Sequence, residues 1–223
     1  MRYRQHIEFS SAAHGLIGGT SVSRRVVIAG LTALVATGFA TRVRADDMSS
    51  EMILNDPDAP VGGNPQGDVT IVSFFDYNCP FCKSTVQPLN AVLSSDGNIR
   101  HVYKDWPILT QSSVFGAKLA LAAKFSNRYE DAYGALMAID GHRVPEERMR
   151  EALAGAGFDM AQLAGEANRR DAEITTLLQR NNAQAEGLGL RGTPVFLIGQ
   201  FLVAAALDED GFRQVVKDAR EAA

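Results

Sequence analysis

The sequence predicts an α/β domain in which a block of helices interrupts a set of strands. Three observations lead there. Val69-Thr70-Ile71-Val72-Ser73-Phe74-Phe75 is β-branched and aromatic, the composition of a buried strand. From Ser112 to about Glu186 the pattern turns helical, with Ala, Leu, Lys, Arg and Gln dominant. β character then returns at Val195-Phe196-Leu197-Ile198. The predicted order is strand, helix, strand, helical block, hairpin, helix, with no internal repeat. A chain of 223 residues, 46% hydrophobic and 22% charged, fits one domain, or one domain with a large insertion.

Residues 1–45 read as an export signal rather than as part of the fold. Ser23-Arg24-Arg25-Val26-Val27 is a twin-arginine pattern, followed by an apolar run from Val26 to Ala40 and by Val43-Arg44-Ala45, which offers a small residue for cleavage near Ala45. That run is too short to span a bilayer comfortably. Residues 46–68, rich in Asp, Pro, Gly and Asn, read as an N-terminal lead-in over the surface, with one apolar patch at Met52-Ile53-Leu54. Residues 69–111 then form the first part of the α/β domain, 112–186 the inserted helices and 187–223 the second part.

Within the first part, Asn78 is the expected cap of a helix with Pro80 in its first turn, apolar positions at Val86, Leu89, Val92 and Leu93, and Pro88 in its interior. Ile99 to Tyr103 is the second strand, closed by Trp106-Pro107-Ile108-Leu109. The helical block divides into four or five helices, with breaks near Gly141, Gly155–Gly157 and Gly165 and a start at Pro145-Glu146-Glu147. Gly199-Gln200 turns the chain into a hairpin partner from Phe201 to Ala205. Asp208 caps the last helix, with Leu207 and Phe212 spaced as a hydrophobic staple.

The formal charge of -4 is unevenly placed. Residues 1–45 hold six Arg and one acid, which leaves 16 basic and 25 acidic residues, a charge of -9, on the rest. An acidic body argues against broad binding of nucleic acid or anionic membranes.

The chain has two cysteines, in Cys79-Pro80-Phe81-Cys82, between a buried strand and a helix. Backbone N–H groups and the dipole at a helix start favour negative charge, so a thiolate on Cys79 is stabilised and its pKa lowered. Cys82 lies one turn on, within reach of a disulfide. Thiol–disulfide exchange needs this pair: an accessible thiolate to attack and a neighbour to resolve the mixed disulfide. A structural disulfide over so short a loop stabilises little, on the order of 2 kcal/mol. A zinc site needs two further ligands, and His6, His14, His101 and His142 are scattered. Two unrelated buried cysteines is the third rival. The strand-to-helix context favours redox chemistry, with no cofactor or metal beyond the Cys79–Cys82 disulfide itself.

Thr193-Pro194 stands immediately before a strand. It is either a cis proline whose backbone pairs with an extended substrate, or an ordinary trans turn. Gly187-Leu188-Gly189-Leu190-Arg191-Gly192 matches a dinucleotide fingerprint but follows helix and leads into strand, the reverse of what that motif requires, so its glycines are read as turning the chain into Thr193-Pro194. Asp76, three residues before Cys79, either influences proton transfer or ends the strand. Lys104 either approaches the cysteines or is solvated.

Phe74-Phe75-Asp76-Tyr77-Asn78-Cys79-Pro80-Phe81-Cys82-Lys83 resembles the active-site region of the DsbA-like branch of the thioredoxin superfamily. Gly63 to Thr70, Lys104 to Leu109 and Gly192 to Phe196 are similar to it as well, in order, from about Asp56 to the end. The resemblance implies a thioredoxin fold with an inserted helical subdomain. It implies Cys79 as the exposed nucleophile, Cys82 as the resolving thiol and Pro194 as a cis proline with Thr193 before it. Pro80, Phe81, Asp76 and Lys104 are supporting candidates. It further implies a periplasmic thiol–disulfide oxidoreductase that exchanges disulfides with unfolded or reduced exported proteins and is recycled by a membrane or soluble redox partner.

Two departures refine the expectation. Pro80-Phe81 lacks the His that the best-known oxidases carry between their cysteines, which predicts a milder oxidant. Ser73 stands where many relatives have an acid near a strand lysine, which predicts Lys104 without that partner, and Asp76 falls on the opposite face of the strand. A dithiol oxidase is the favoured activity, with a reductase or isomerase as rival and, from a different class, a copper(I)-binding protein.

Overall fold

The computed structural model describes residues 5–6 and 49–223. In chain order the elements are β1 (Gln5–His6), α1 (Ser50–Leu54), β2 (Val61–Gly63), β3 (Val69–Phe75), α2 (Pro80–Asp96), β4 (Ile99–Asp105), α3 (Gln111–Lys124), α4 (Tyr129–Met137), α5 (Glu146–Gly155), α6 (Met160–Arg169), α7 (Asp171–Gly187), β5 (Val195–Ile198), β6 (Phe201–Val203) and α8 (Glu209–Glu221). Apart from Gln5–His6, the export signal read in residues 1–45 lies outside the described residues. Among the described residues no helix is long and apolar enough to cross a membrane.

The strands form one mixed sheet in the order β1-β6-β5-β3-β4-β2. β3 runs parallel to β4, with Ile71 opposite His101, and antiparallel to β5, with Ile71 opposite Ile198. The parallel pair is joined by α2, the crossover that parallel neighbours need. β3 is buried along nearly its whole length, which explains its unbroken apolar reading: both faces of a central strand are covered.

Side chains alternate across the sheet, and the alternation sorts the core. Ile71 and Phe75 of β3, with Ile99 and Tyr103 of β4, face α2. Phe212 and Val216 of α8 pack on that side too. Val72 and Phe74, with Val102 and Trp106, face the other way, against Ile53 of α1 and Ala185 of α7. The helices α3 to α6 gather around the end of the sheet where Phe75, Tyr77, Cys79 and Cys82 are buried.

Four expectations are corrected. Residues 46–68 are more than a surface lead-in: they contain α1 and β2, bury Ile53 and Asp56, and pair antiparallel with β4 at Val61–Val102. A five-residue helix and a three-residue strand are too short to show a period. Gly165 lies inside α6; the break falls at Arg170, and a further one at residues 125–128 turns through Asn127 at φ 57°. The hairpin partner ends at Val203 rather than Ala205. The cap of α2 is Cys79 rather than Asn78, with Pro80 at the first helical position and Gly97 ending the helix at φ 69°. The caps expected at Asp208 and the staple beside it are present: Asp208 accepts the Gly211 N–H, and Leu207 packs on the cluster that holds Phe212.

Candidate active site

β3 delivers the chain into the turn 76–79. The backbone N–H of Cys79 donates to Asp76 O at 3.1 Å, and Cys79 then opens α2 as its N-cap. Its Sγ accepts the Cys82 N–H at 3.3 Å, and the thiol lies 3.3 Å from Thr193 O, its acceptor on a loop far away in sequence. The Thr193–Pro194 peptide is cis. Gly189, at φ 70°, turns the chain out of α7 toward this loop, which accounts for the middle glycine of the rejected fingerprint. The site therefore brings together Cys79, Pro80, Phe81, Cys82, Thr193 and Pro194.

The two thiols are not equivalent. Cys79 is pulled down to about 6, first by the hydrogen bond from the Cys82 thiol; burial opposes this, while the Thr193 side chain and the N–H groups of Cys82 and Phe81 assist. Cys82 is pushed well above the ordinary thiol range, by burial first and then by its bond to Cys79. Thr193 Oγ1 is buried with no conventional hydrogen-bond partner, so its hydroxyl is free to turn toward a thiolate.

The expected open nucleophile is corrected here. Cys79 is 3% exposed and Cys82 1%. The Cys79 sulfur is flanked by Thr193 O and Cys82 N and packs in the same buried cluster as Tyr77. Access runs beside it: Phe81 is 64% exposed, and a groove of ≈ 550 Å³ is lined by Phe81, Leu188, Leu190, Thr193, Pro194 and Leu202, so the sulfur is one hydrogen bond from the groove wall.

Asp76 is fully buried and builds the turn: it accepts from Asn78 N at 2.7 Å, from Leu109 N at 2.9 Å and from Ser113 Oγ at 2.7 Å. Lys104 is not part of the site. It shares its face of β4 with Val102, away from α2, and it has a carboxylate partner after all: its Nζ lies 3.0 Å from Asp56 Oδ2. Asp56 also takes Arg180 at 3.0 Å, and Arg180 reaches Asp58 at 2.7 Å. The partner comes from the lead-in segment, which the expectation built on Ser73 did not consider. Ser73, on the α2 face, bonds His101 Nε2 at 2.7 Å, and burial holds that imidazole down to about 3, hence neutral. Alternation along β4 was the one signal that could have placed His101 there.

Sequence reasoning also missed Asp105. It is buried at the end of β4, takes the Tyr77 hydroxyl at 2.9 Å and the Tyr129 hydroxyl at 2.6 Å, and is raised to about 7 by burial, against the lowering effect of those two bonds. Among the described residues no group of three or more His, Cys, Asp or Glu could hold a metal ion.

Residues 55–218 match the profile of the thioredoxin family. The chain belongs to the thioredoxin family. Among solved structures it is similar to a thioredoxin-like oxidoreductase from Silicibacter pomeroyi DSS-3, at 38% identity and TM-score 0.73 over 78% of this chain and 99% of that one. It is also similar to the thiol-disulfide exchange protein alpha-DsbA2 from Wolbachia pipientis, at 27% identity and TM-score 0.71 over 78% and 94%. A periplasmic thioredoxin-like protein from Salmonella enterica serovar Typhimurium matches at 25% identity and TM-score 0.69 over 80% and 98%. No curated protein sequence matches. With these neighbours, this member of the thioredoxin family is a DsbA-like thiol–disulfide oxidoreductase.

Proposed function

We propose that this protein is a periplasmic dithiol oxidase for exported proteins, with Cys79 as the thiol that meets substrate and Cys82 as the resolving thiol. One observation carries the reading: Cys79 caps the helix and is held near 6, while Cys82 behind it is held protonated. A stabilised thiolate favours the reduced enzyme, and that makes the disulfide a better oxidant. A value near 6 lies between about 3.5 for a strongly oxidising relative and about 7 for thioredoxin, consistent with a milder oxidant.

In the oxidised enzyme a substrate thiolate attacks Cys79 Sγ, the Cys79–Cys82 bond breaks, and Cys82 leaves with the pair of electrons and takes up a proton. The substrate's second thiolate then attacks the substrate sulfur of the mixed disulfide and expels Cys79 as a thiolate. Two electrons have moved to the enzyme, with one proton on Cys82 and Cys79 left as the thiolate, and a redox partner must remove the electrons before the next cycle. The cis Thr193–Pro194 loop offers backbone groups to an extended chain, and the mostly apolar groove with exposed Phe81 on its wall suits unfolded substrates. Export to the periplasm rests on the signal read in residues 1–45 and on the periplasmic neighbour.

The test is the Cys79/Cys82 reduction potential against glutathione. The expected value lies between about -120 and -200 mV; one near thioredoxin's, about -270 mV, reverses the direction to reductase. Cys79→Ser is expected to abolish exchange and Cys82→Ser to accumulate mixed disulfides. Stoichiometric copper(I) in anaerobically purified protein with no exchange activity would replace the reading by metal binding.

A further inference from the structure

Asn78 precedes the first cysteine and Lys83 follows the second, and both are fastened to the loop between α4 and α5. Asn78 is 2% exposed. Its Oδ1 accepts the Val144 N–H at 2.6 Å. Its Nδ2 is shared among Thr110 Oγ1 at 2.9 Å, Ser112 Oγ at 3.1 Å and Ser113 Oγ at 3.1 Å. Lys83 Nζ donates to Ile139 O at 2.6 Å and Gly141 O at 2.8 Å. Because Cys79 itself caps α2, the Asn78 side chain is released from capping and spends all its polar atoms on α3 and on this loop.

We propose that Asn78 is a positioning residue for disulfide exchange: it pins the residue before Cys79 to the start of α3 and to the α4–α5 loop, so that with Lys83 this loop of the helical block frames the redox centre. The proposal rests on Cys79 being the reacting thiol. The Cys79 sulfur meets Cys82 N and Thr193 O at once, and these partners lie in separate parts of the chain. The Cys82 N–H contact is 3.3 Å long and favours the thiolate, whereas Thr193 O accepts only from the neutral thiol; hydrogen bonds weaken quickly as they stretch or bend, so a small shift of Cys79 raises the midpoint through the first contact. Losing the carboxamide leaves the buried Val144 N–H without its acceptor. Thr110, Ser112 and Ser113 already bond one another and can re-pair, so the attachment to the loop is what the substitution removes. The titratable groups around the site are Cys82 and Lys83 on α2, Asp76 before it, Asp140 on the loop, and Tyr77 and Tyr133, whose hydroxyls burial keeps protonated; the substitution changes the identity of none of them.

The test follows alkylation of Cys79 by iodoacetamide in the reduced full chain from pH 4 to 9. Asn78→Ala is expected to raise the titration midpoint by about one unit, so that alkylation at pH 5 slows about tenfold while rates at pH 9 converge. The Val144 amide should also exchange with deuterium faster. A pH profile that superimposes on the unsubstituted protein's, with only the melting temperature lowered, overturns the proposal. If Asn78→Ala does not fold, Asn78→Ser keeps a polar atom for the Thr110, Ser112 and Ser113 hydroxyls but leaves its oxygen a bond short of the Val144 N–H; a midpoint raised by a few tenths of a unit supports the proposal and an unmoved one overturns it. Alkylation needs no substrate. A wrong exchange assignment would appear instead as turnover retained by Cys79→Ser, so the two failures are distinct.

Discussion

The Thr193 hydroxyl is buried without a conventional hydrogen-bond partner, an expensive arrangement unless it turns to the Cys79 sulfur in its ionised state. Thr193→Val keeps the shape and deletes that donor. The expected outcome is a Cys79 midpoint above about 6, read from thiolate absorbance, with the melting temperature little changed. Reagent access follows the same asymmetry. In the native reduced protein Cys79 is expected to take the first equivalent of alkylating agent, and Cys82 to react only after denaturation, which mass mapping would check. The cysteine pair was legible from its spacing and strand-to-helix context; the cis Thr193–Pro194 turn was one of two readings of the residues, and the family resemblance chose it. The burial of Cys79 was not legible, since it depends on a loop that returns only after the whole helical block. Ser73–His101 was equally hidden, because a hydrogen bond across two strands leaves no local pattern.

At the scale of elements, Lys104 and Asp56 tie α1 and β2 to the sheet on the face away from α2. Removing one partner of a buried pair strands the other charge, at a cost of about 3–5 kcal/mol. Asp56→Ala is therefore expected to lower stability by that order in denaturant titration, yet leave the Cys79 pH profile in place. A changed profile would bring Lys104 back to the redox centre. Asp105 makes a second prediction. Its carboxyl is raised to about 7, so between about pH 4 and 7 the folded state holds a proton that the unfolded chain has released, and stability falls as pH rises across that window. Asp105→Asn keeps one acceptor oxygen and puts an N–H donor in place of the other, to which the second Tyr hydroxyl can turn as acceptor, and its stability should be flatter there. The long strands and helices were readable from composition and period. The α1–β2 segment was not, because its order comes from long-range contacts, the pairing with β4, the burial of Ile53 and the ion pairs of Asp56 with β4 and α7, rather than from its own propensity.

Across the whole molecule, the redox state sets how stability answers to pH. An ordinary thiol titrates near about 8.5, and Cys79 in the folded reduced protein near about 6. That depression contributes stability which is complete above the unfolded value and is lost as pH falls through the folded one. The disulfide form has no thiolate and lacks this contribution. Cys82, shifted upward, matters only above about 8.5. The reduced protein is thus expected to gain stability relative to the oxidised one between about pH 6 and 8.5, measured as the difference between their urea midpoints; Asp105 acts in both forms and cancels. The overall order of strands, insertion and hairpin was legible because each piece has its own period. How the pieces close around the cysteines was not, since the contacts of Asn78, Lys83 and Thr193 join residues far apart in the chain.

In the proposed exchange one atom both caps the helix and carries the electrons: the Cys79 sulfur is the acceptor at the head of α2. A thiolate grips the Cys82 amide more firmly than a neutral disulfide sulfur does. The leading turn of α2 should therefore tighten when the protein gains two electrons and slacken when it gives them up, and deuterium uptake at that single amide would serve as a gauge of its charge of reducing equivalents.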